Sequence, residues 1–583
     1  MYFVYNLRVA GRMGAVTVLK NLQVEYQTNP LGIDVSQPRF NWQMESDRYG
    51  ACGQAYRLWV ADSPEQLAAG RYIYDSGKVL SGESVGVVYQ GKALQPSTRY
   101  YWKVSVWDES GTEITSTEPA WFETGLLGSG WSGARWIGSS ETQLSKYRSH
   151  YVIDYDVRVA EGNDKAVFVF GSRDADNYVS AELDLNGSGD ARFILRHTTD
   201  GKTRQDAAES LASIIPASDK HKVHHIRLKV TTAQYALKYF VDIEIDGKTL
   251  VNSSLTPEEK ERKSRGDFWG GKEGAFTVYP YPDGELVYHC RLYAIGFLQP
   301  KGQTATFSNL RISEDTWNTL LYNPAETYVE KGEGKLNVWY PGENVSAPML
   351  RKEIKIEKPV KSARLYATAR GIYEFSVNGR KVGKDYLNPG WTDYRYRIMY
   401  NTYDITSLLR PGDNGIGAML GAGWWSEHSG FLTGGQDQYG TRQSLLGKIV
   451  IEYADGTRET IVTNDSWKCY DRGPITFNGL QNGEEYDARK EVNGWDAPGF
   501  DDSSWKPATL FAAPPVNVEI QGYVGSPIQN NVTLTAQSVV EPIPGVYVFQ
   551  GKGRTVNHDP FRGDELSGND PYRTCRPVHD RDV

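Results

Sequence analysis

Cysteine is scarce and scattered. Cys52, Cys290, Cys469 and Cys575 share no C-x-x-C spacing, so the sequence carries neither a local zinc knuckle nor a redox pair, and no disulfide framework is expected. Histidine is equally thin: the one close group among nine, His221, His224 and His225 in HKVHHIRLKV, alternates as a strand edge would, which favours that reading over a metal site. No apolar run reaches the roughly 18 residues that a membrane helix needs. Basic runs are also missing. With 64 basic against 72 acidic residues and a net charge of -8, there is no electrostatic footprint for nucleic acid or an anionic membrane, and the expected partner is uncharged or weakly charged. The opening MYFVYNLRVAGRMGAVTVL lacks a charged n-region, a long apolar h-region and a small-residue cleavage site, so localisation is not legible from it. Domain-like sequence begins near Leu19, and residues 1–18 form an unassigned leader.

Helical periodicity is missing as well. Short alternating runs such as VVYQG, YYWKVSVW, RLYATA and YEFSVNG are separated by Gly, Asp, Asn and Pro, the pattern of an all-β chain built from tandem β-sandwich and jelly-roll domains. With 583 residues, three or four such units are expected. The first spans 19–127 and has a fibronectin type III-like pattern, in which Tyr100, Trp102, Val104 and Val106 alternate as one buried face. A second, with strand-like KAVFVFGS, YVSAELDLNG, HHIRLKV, YFVDIEIDGKTL and ATFSNLRI, covers 145–322 and reads as a concanavalin-like or laminin-G-like sandwich. Its Asp246-Gly247 pair signals a hairpin, and its charged stretch 253–272 reads as a loop with at most one helical turn. A third covers 340–512. Residues 513–549 start a further β-domain at PGVYVF, and 550–583, with few apolar residues and no period, are expected to be disordered.

Several long runs carry a family resemblance. LKNLQVEYQTNPLGIDVSQPRFNWQM, YDSGKV at 74–79, LQPSTRYYWKVSVWDESG and ARWIG at 134–138 are similar to the amino-terminal module of bacterial α-L-rhamnosidases. APMLRKEI, GIYEFSVNGRKVGKDYLNPGWTDYRYRIMYNTYDITSLL, GAGWW at 421–425 and GEEYDARKEVNGWDAPGFDDSSWKPA resemble that family's jelly-roll module in the same order. In simpler members the WIG strand is soon followed by the LRKE strand. The resemblance therefore implies that 145–322 is an insertion and that the third unit is discontinuous, 134–138 plus 340–512. Family rhamnosidases continue into a helical (α/α)6 barrel bearing the catalytic acids. No such helical repeat is read here, and GKGRTVNHDP departs abruptly from the family pattern, so a frameshifted or misread end is expected near residue 550. Family members are often periplasmic or secreted.

Sixteen Trp and 37 Tyr supply amphipathic rings that stack on sugar faces as well as filling cores. A neutral 6-deoxy sugar needs an aromatic face and convergent hydrogen-bonding groups. Two Gly- and Pro-rich segments mix both: Asp385, Asn388, Trp391 and Asp393 in the first, Trp424, Trp425 and Glu427 with Tyr439 in the second. Asn482 and Glu484, beside Asp487, form a third candidate. Against this stands the reading that Trp391 and one of Trp424 and Trp425 fill the sandwich core, that Asp385 and Asp393 serve turns, and that Asp487 pairs with Arg489. The resemblance implies a rhamnose-containing glycan as partner, and calcium as a possible cofactor whose hard-cation chemistry suits carboxylate and diol oxygens.

Glu182 and Asp184 in AELDL, and Asp242, Glu244 and Asp246 in VDIEID, share strand faces at spacings open to acid–base glycosidase work. Alternating acids are also the ordinary solvent face of an antiparallel strand. The expectation is therefore a rhamnoside-recognising, non-catalytic portion of an α-L-rhamnosidase. Its alternatives are an active glycosidase with an unrecognised centre and a lectin-like adhesin.

Overall fold

The computed structural model describes residues 16–128, 130–142, 144, 148–232, 239–254, 276–278, 291–314, 319–342, 345–426, 437–480, 483–533, 535–543 and 546–550. Most of the leader, most of the charged stretch 253–272, the tail 551–583, Glu427, Asn482, Cys290 and Cys575 lie outside them. Cys52 and Cys469 are free, one exposed and one buried. Strands dominate the described residues, and the helices are short, such as Pro64–Ala68 and Gly423–Ser426.

The first sandwich packs a three-stranded sheet, Thr17–Val24, Arg39–Ser46 and Val87–Val88, on a six-stranded one centred on Gly53–Ala61 and Arg99–Asp108. Alternation in Arg99–Asp108 delivers Tyr100, Trp102, Val104 and Val106 into the core, none more than 4% exposed. Phe40 meets Trp102 edge-on at 4.8 Å, a geometry worth about 1 kcal/mol beyond area burial.

The middle sandwich pairs an eight-stranded sheet containing His150–Val159, His224–Thr232, Tyr239–Ile245 and Thr304–Ser313 with a six-stranded sheet containing Lys165–Asp174, Asn177–Asp184 and Arg192–Thr199. Its core is separate from the others and includes Tyr155 stacked on Phe168 at 4.5 Å. Asp246 and Gly247 join Tyr239–Ile245 to Lys248–Thr249 with φ of 51° and 74°. Two successive positive φ values are what a two-residue I′ hairpin demands. His224 places Nδ1 2.8 Å from Asp246 Oδ2 and Nε2 3.0 Å from Asp219 O, while His225 Nδ1 lies 2.8 Å from Asp156. These imidazoles are tied into the ladder and the adjoining turn.

The third sandwich sets a six-stranded sheet with Met349–Ile356, Ile372–Val377 and Gly412–Gly421 against a seven-stranded sheet with Val360–Arg370, Arg397–Asp404 and Ser444–Tyr453. Trp136–Gly138 enters the seven-stranded sheet between Ser444–Tyr453 and Thr509–Phe511, with Ile137 opposite Leu445 and Trp136 opposite Phe511. The chain thus crosses this sheet once before the middle sandwich and returns to it afterwards. Along Val360–Arg370 the small and aliphatic Ala363, Leu365, Ala367 and Ala369 face the inter-sheet core. Arg364, Tyr366, Thr368 and Arg370 therefore occupy the outer face. The first sandwich docks on that face: Leu126, Tyr366 and Tyr400 form a shared cluster, and the Leu126 N–H donates to Tyr400 Oη at 2.6 Å.

A second compact unit includes Lys384–Tyr386 and the described residues between Ser526 and Gln550. Within it, Asp385–Tyr386 pairs with Ile528–Gln529 and Ser538–Ile543 with Val546–Gln550.

Candidate functional site

The outer face of the seven-stranded sheet ends in an aromatic cluster. Trp136, Tyr394, Ile398, Tyr439 and Leu446 are buried there, with Trp424 and Trp425 packed partly exposed against them. Tyr394 meets Trp425 at 5.5 Å and Tyr439 at 4.9 Å edge-on, while Trp425 and Tyr439 stack at 6.1 Å. Local structure holds these rings in place. The turn at Asp393 accepts N–H bonds from Tyr396 and Arg397, and Tyr394 Oη donates to Gly390 O at 2.9 Å. The short helix Gly423–Ser426 is pinned at both ends: Ala422 N donates to Asn478 Oδ1 at 2.6 Å, and Gln443 Nε2 donates to Ser426 Oγ at 2.6 Å. A Cβ on Gly440 would lie 2.8 Å from the Trp425 ring, so glycine is what lets the 437–440 segment approach the indole.

Arg370 belongs to the same cluster. Its Cζ lies 4.5 Å from the Trp136 centroid and 5.5 Å from that of Trp425, and Nη2 donates to Ala512 O at 3.0 Å. Burial pulls its guanidinium down to about 10 from the ordinary arginine value. Arg395 Cζ lies 6.0 Å from the Tyr439 ring and forms a bidentate pair with Asp393 at 2.8 and 2.7 Å, which holds the Asp393 carboxyl below its ordinary range.

The structure therefore brings Trp425 and Tyr439 together, with Trp424 packed on the same cluster. Tyr394, the end of the first candidate segment, joins them, and the structure adds Arg370 and Trp136, which sequence reasoning did not single out. A legible signal existed for Arg370, because it continues the outer-face alternation of ARLYATAR. Neither Trp391, at 61% exposure, nor Trp424 nor Trp425 fills the inter-sheet core; Trp467 does. Asn388, buried and followed by a cis peptide to Pro389, accepts the Tyr373 N–H on its backbone oxygen. Asp385 lies in the second unit, where Gln529 Nε2 donates to its Oδ1 at 2.9 Å. Glu484 is exposed on Gly483–Tyr486 opposite Asn478. Asp487 is held at about 2 by the Arg489 guanidinium, 2.8 Å from each of its oxygens.

Calcium needs six to eight converging oxygens. Both Asp393 oxygens are taken by Arg395, and among the described residues no three His, Cys, Asp or Glu side chains converge. Among the described residues, the jelly-roll candidates therefore do not form a calcium cradle.

On the middle sandwich, Lys165 Nζ lies 2.6 Å from Glu182 and 3.3 Å from Asp184, and Arg196 Nε lies 3.2 Å from Glu182. These carboxylates are engaged in ladder ion pairs. A cleft of about 710 Å³ opens where the first sandwich meets the far end of the same outer face, lined by Arg99, Tyr101, Glu123, Lys361, Arg364 and Glu452 among others. Its charges are largely paired with one another: Arg364 forks onto Glu123 at 2.6 and 3.1 Å, and Lys361 meets Glu452 at 2.6 Å.

Comparison with known proteins bears on this architecture. Residues 19–128 match a family model described as a Rha78A-like N-terminal immunoglobulin domain, and residues 358–529 match the alpha-L-rhamnosidase N-terminal domain. An alpha-L-rhamnosidase of Streptomyces avermitilis is 33% identical over 549 residues, which is 90% of this chain and 48% of that protein. The chain thus carries amino-terminal domains of the α-L-rhamnosidase family. An α-L-rhamnosidase of an Alteromonas species is 39% identical over 167 residues, 28% of this chain and 18% of the relative. The crystal structure of the Streptomyces avermitilis α-L-rhamnosidase, complexed with L-rhamnose, superposes with a TM-score of 0.56 at 28% identity, covering 92% of this chain and 49% of that one. The Dictyoglumus thermophilum α-L-rhamnosidase shares the fold, with a TM-score of 0.52 at 24% identity over 91% of this chain and 38% of its own. The chain thus spans about half the length of the Streptomyces rhamnosidase.

Proposed function

We propose that this chain is the rhamnoside-recognising, non-catalytic portion of an α-L-rhamnosidase, an enzyme that hydrolyses terminal α-L-rhamnosyl residues. In this reading the chain divides into 19–127, a jelly roll of 134–138 plus 340–512, an inserted sandwich at 145–322, and the start of a further β-domain at 513–549. The observation that carries recognition is the Tyr394–Trp425–Tyr439 cluster at the end of the outer sheet face, where Trp425 is partly exposed over the buried Tyr394 and Tyr439, with Trp391 exposed in the same module. Such rings supply the apolar contact that a 6-deoxy sugar face needs. The ion-paired state of Glu182 and Asp184 supports the absence of hydrolysis by these strands, because two carboxylates flanking a scissile bond must face a cleft rather than neighbouring cations.

The test is incubation of the purified chain with p-nitrophenyl α-L-rhamnoside alongside calorimetric titration of L-rhamnose, with and without calcium. Expected are binding without turnover, and about tenfold weaker binding after Trp425→Ala, the loss of roughly 1.4 kcal/mol of ring contact. Turnover by the pure chain would overturn the non-catalytic reading. Binding unchanged in Trp425→Ala would move the sugar site off the jelly roll.

A further inference from the structure

Arg370 is a cation packed against two indole faces. Among the described residues it forms no ion pair, and its one hydrogen bond goes to the backbone oxygen of Ala512 while Nε is buried without a partner. Its cross-strand partner, Ser444, offers only a fully buried hydroxyl that itself lacks a partner. Among the described residues Trp425 Nε1 is likewise buried and unpaired. Two other arginines near this outer face are compensated: Arg364 holds Glu123, and Arg395 holds Asp393. Withdrawing a guanidinium from water without an acceptor costs several kcal/mol, and the faces of Trp136 and Trp425 return only about 1 to 2 each. A planar, weakly hydrated fork held between indoles matches a two-oxygen anion.

We propose that Arg370 binds the oxyanion of an acidic sugar next to the rhamnosyl residue, so that the ligand is an acidic, rhamnose-containing glycan, its charged group a uronate carboxylate or a sulfate ester. The inference rests on the rhamnose-recognition reading and narrows its ligand. Arg370 is the positively charged end of the aromatic cluster: the rhamnosyl ring lies on the Trp425 and Tyr439 side, and the anion lies against the exposed edge of the guanidinium.

The test titrates the whole chain with three disaccharides of L-rhamnose, one joined to a hexuronate, one to the carboxyl-reduced neutral sugar and one to a sulfated hexose, at low and high salt. An acidic ligand is expected to bind about tenfold more tightly than the neutral one at low salt. Arg370→Gln should abolish that preference, read as the ratio of acidic-ligand to neutral-ligand affinity in the same variant, and Arg370→Lys should retain part of it. Preference for either acidic ligand supports the site, and the tighter of the two names its group. Equal affinity of the native chain for acidic and neutral ligands overturns this inference alone. A preference that survives in Arg370→Gln also overturns it, and failure of all three to bind overturns the recognition reading with it.

Discussion

Arg148 and Asp437 are almost fully enclosed, with 3% and 1% side-chain exposure, and form an ion pair. The two lie where the chain enters the middle sandwich and in the segment that brings Tyr439 onto Trp425, so one ion pair ties the orientation of that sandwich to the aromatic cluster. Removing one partner leaves a buried charge without compensation, which is costlier than never having had the pair. Arg148→Met is therefore expected to destabilise the chain by about 3 to 5 kcal/mol in denaturant unfolding. Adding Asp437→Asn should restore a large part of that loss. No recovery in the double variant would mean that the charge itself is not what matters. Nothing in the local sequence around either residue announces this partner, because 288 intervening positions separate a pairing that only folding creates.

At the scale of elements, the first sandwich meets the third through backbone-close contacts that tolerate no side chain. Gly32, with φ of +81°, would place a Cβ 2.1 Å from Thr402 Oγ1. Beside it, Asp34 accepts the Leu127 N–H at 2.5 Å and the Gly522 N–H at 3.0 Å, binding both flanks of the junction with one carboxylate. Gly32→Ala combines a left-handed backbone penalty of about 1 to 2 kcal/mol with overpacking of about 1 to 3. A loss of that combined size is expected in unfolding experiments, and an unchanged midpoint would show that the two sandwiches are not docked this way in solution. Alternation made the strands legible, and the Asp246-Gly247 turn was legible because its chemistry is local. Which sheet face is covered, and by what, was not. Trp391, Trp424 and Trp425 read equally well as core or surface in the sequence, since an aromatic at a loop end satisfies either environment. The outer face accounts for the two Trp of the short helix: a third layer packs there, and the inter-sheet space is already filled by Trp467 and its neighbours.

Across the whole molecule, buried phenols and a buried thiol are distributed over all three sandwiches. Burial raises Tyr100 in the first and Tyr155 in the second, and lifts Tyr366 and Cys469 in the third to about 12. Each of these acids keeps its proton more tightly when folded than when unfolded. Their contribution is complete below the unfolded values, about 9 for the thiol and 10 for the phenols, and is lost as pH rises through the folded ones. Each group removes up to about 1.4 kcal/mol per pH unit across its window. Melting temperature is expected to be flat to about pH 9 and to fall steeply between pH 9 and 12, with phenolate absorbance appearing together with unfolding. Phenolate absorbance that rises well before melting would contradict the burial of these rings.

The sequence by itself determined the β character of the chain, its local turns and, through long motifs in order, its kinship with α-L-rhamnosidases. Those properties depend on neighbours within a strand or a hairpin, where period and turn chemistry act over a few residues. The tertiary structure alone decided which aromatics meet, that Arg370 stands between Trp136 and Trp425, and that Glu182 and Asp184 are engaged by Lys165 and Arg196. These follow from strands distant in the chain being brought side by side, and a side chain's partners across a ladder are set by register and layer packing, which no local pattern encodes.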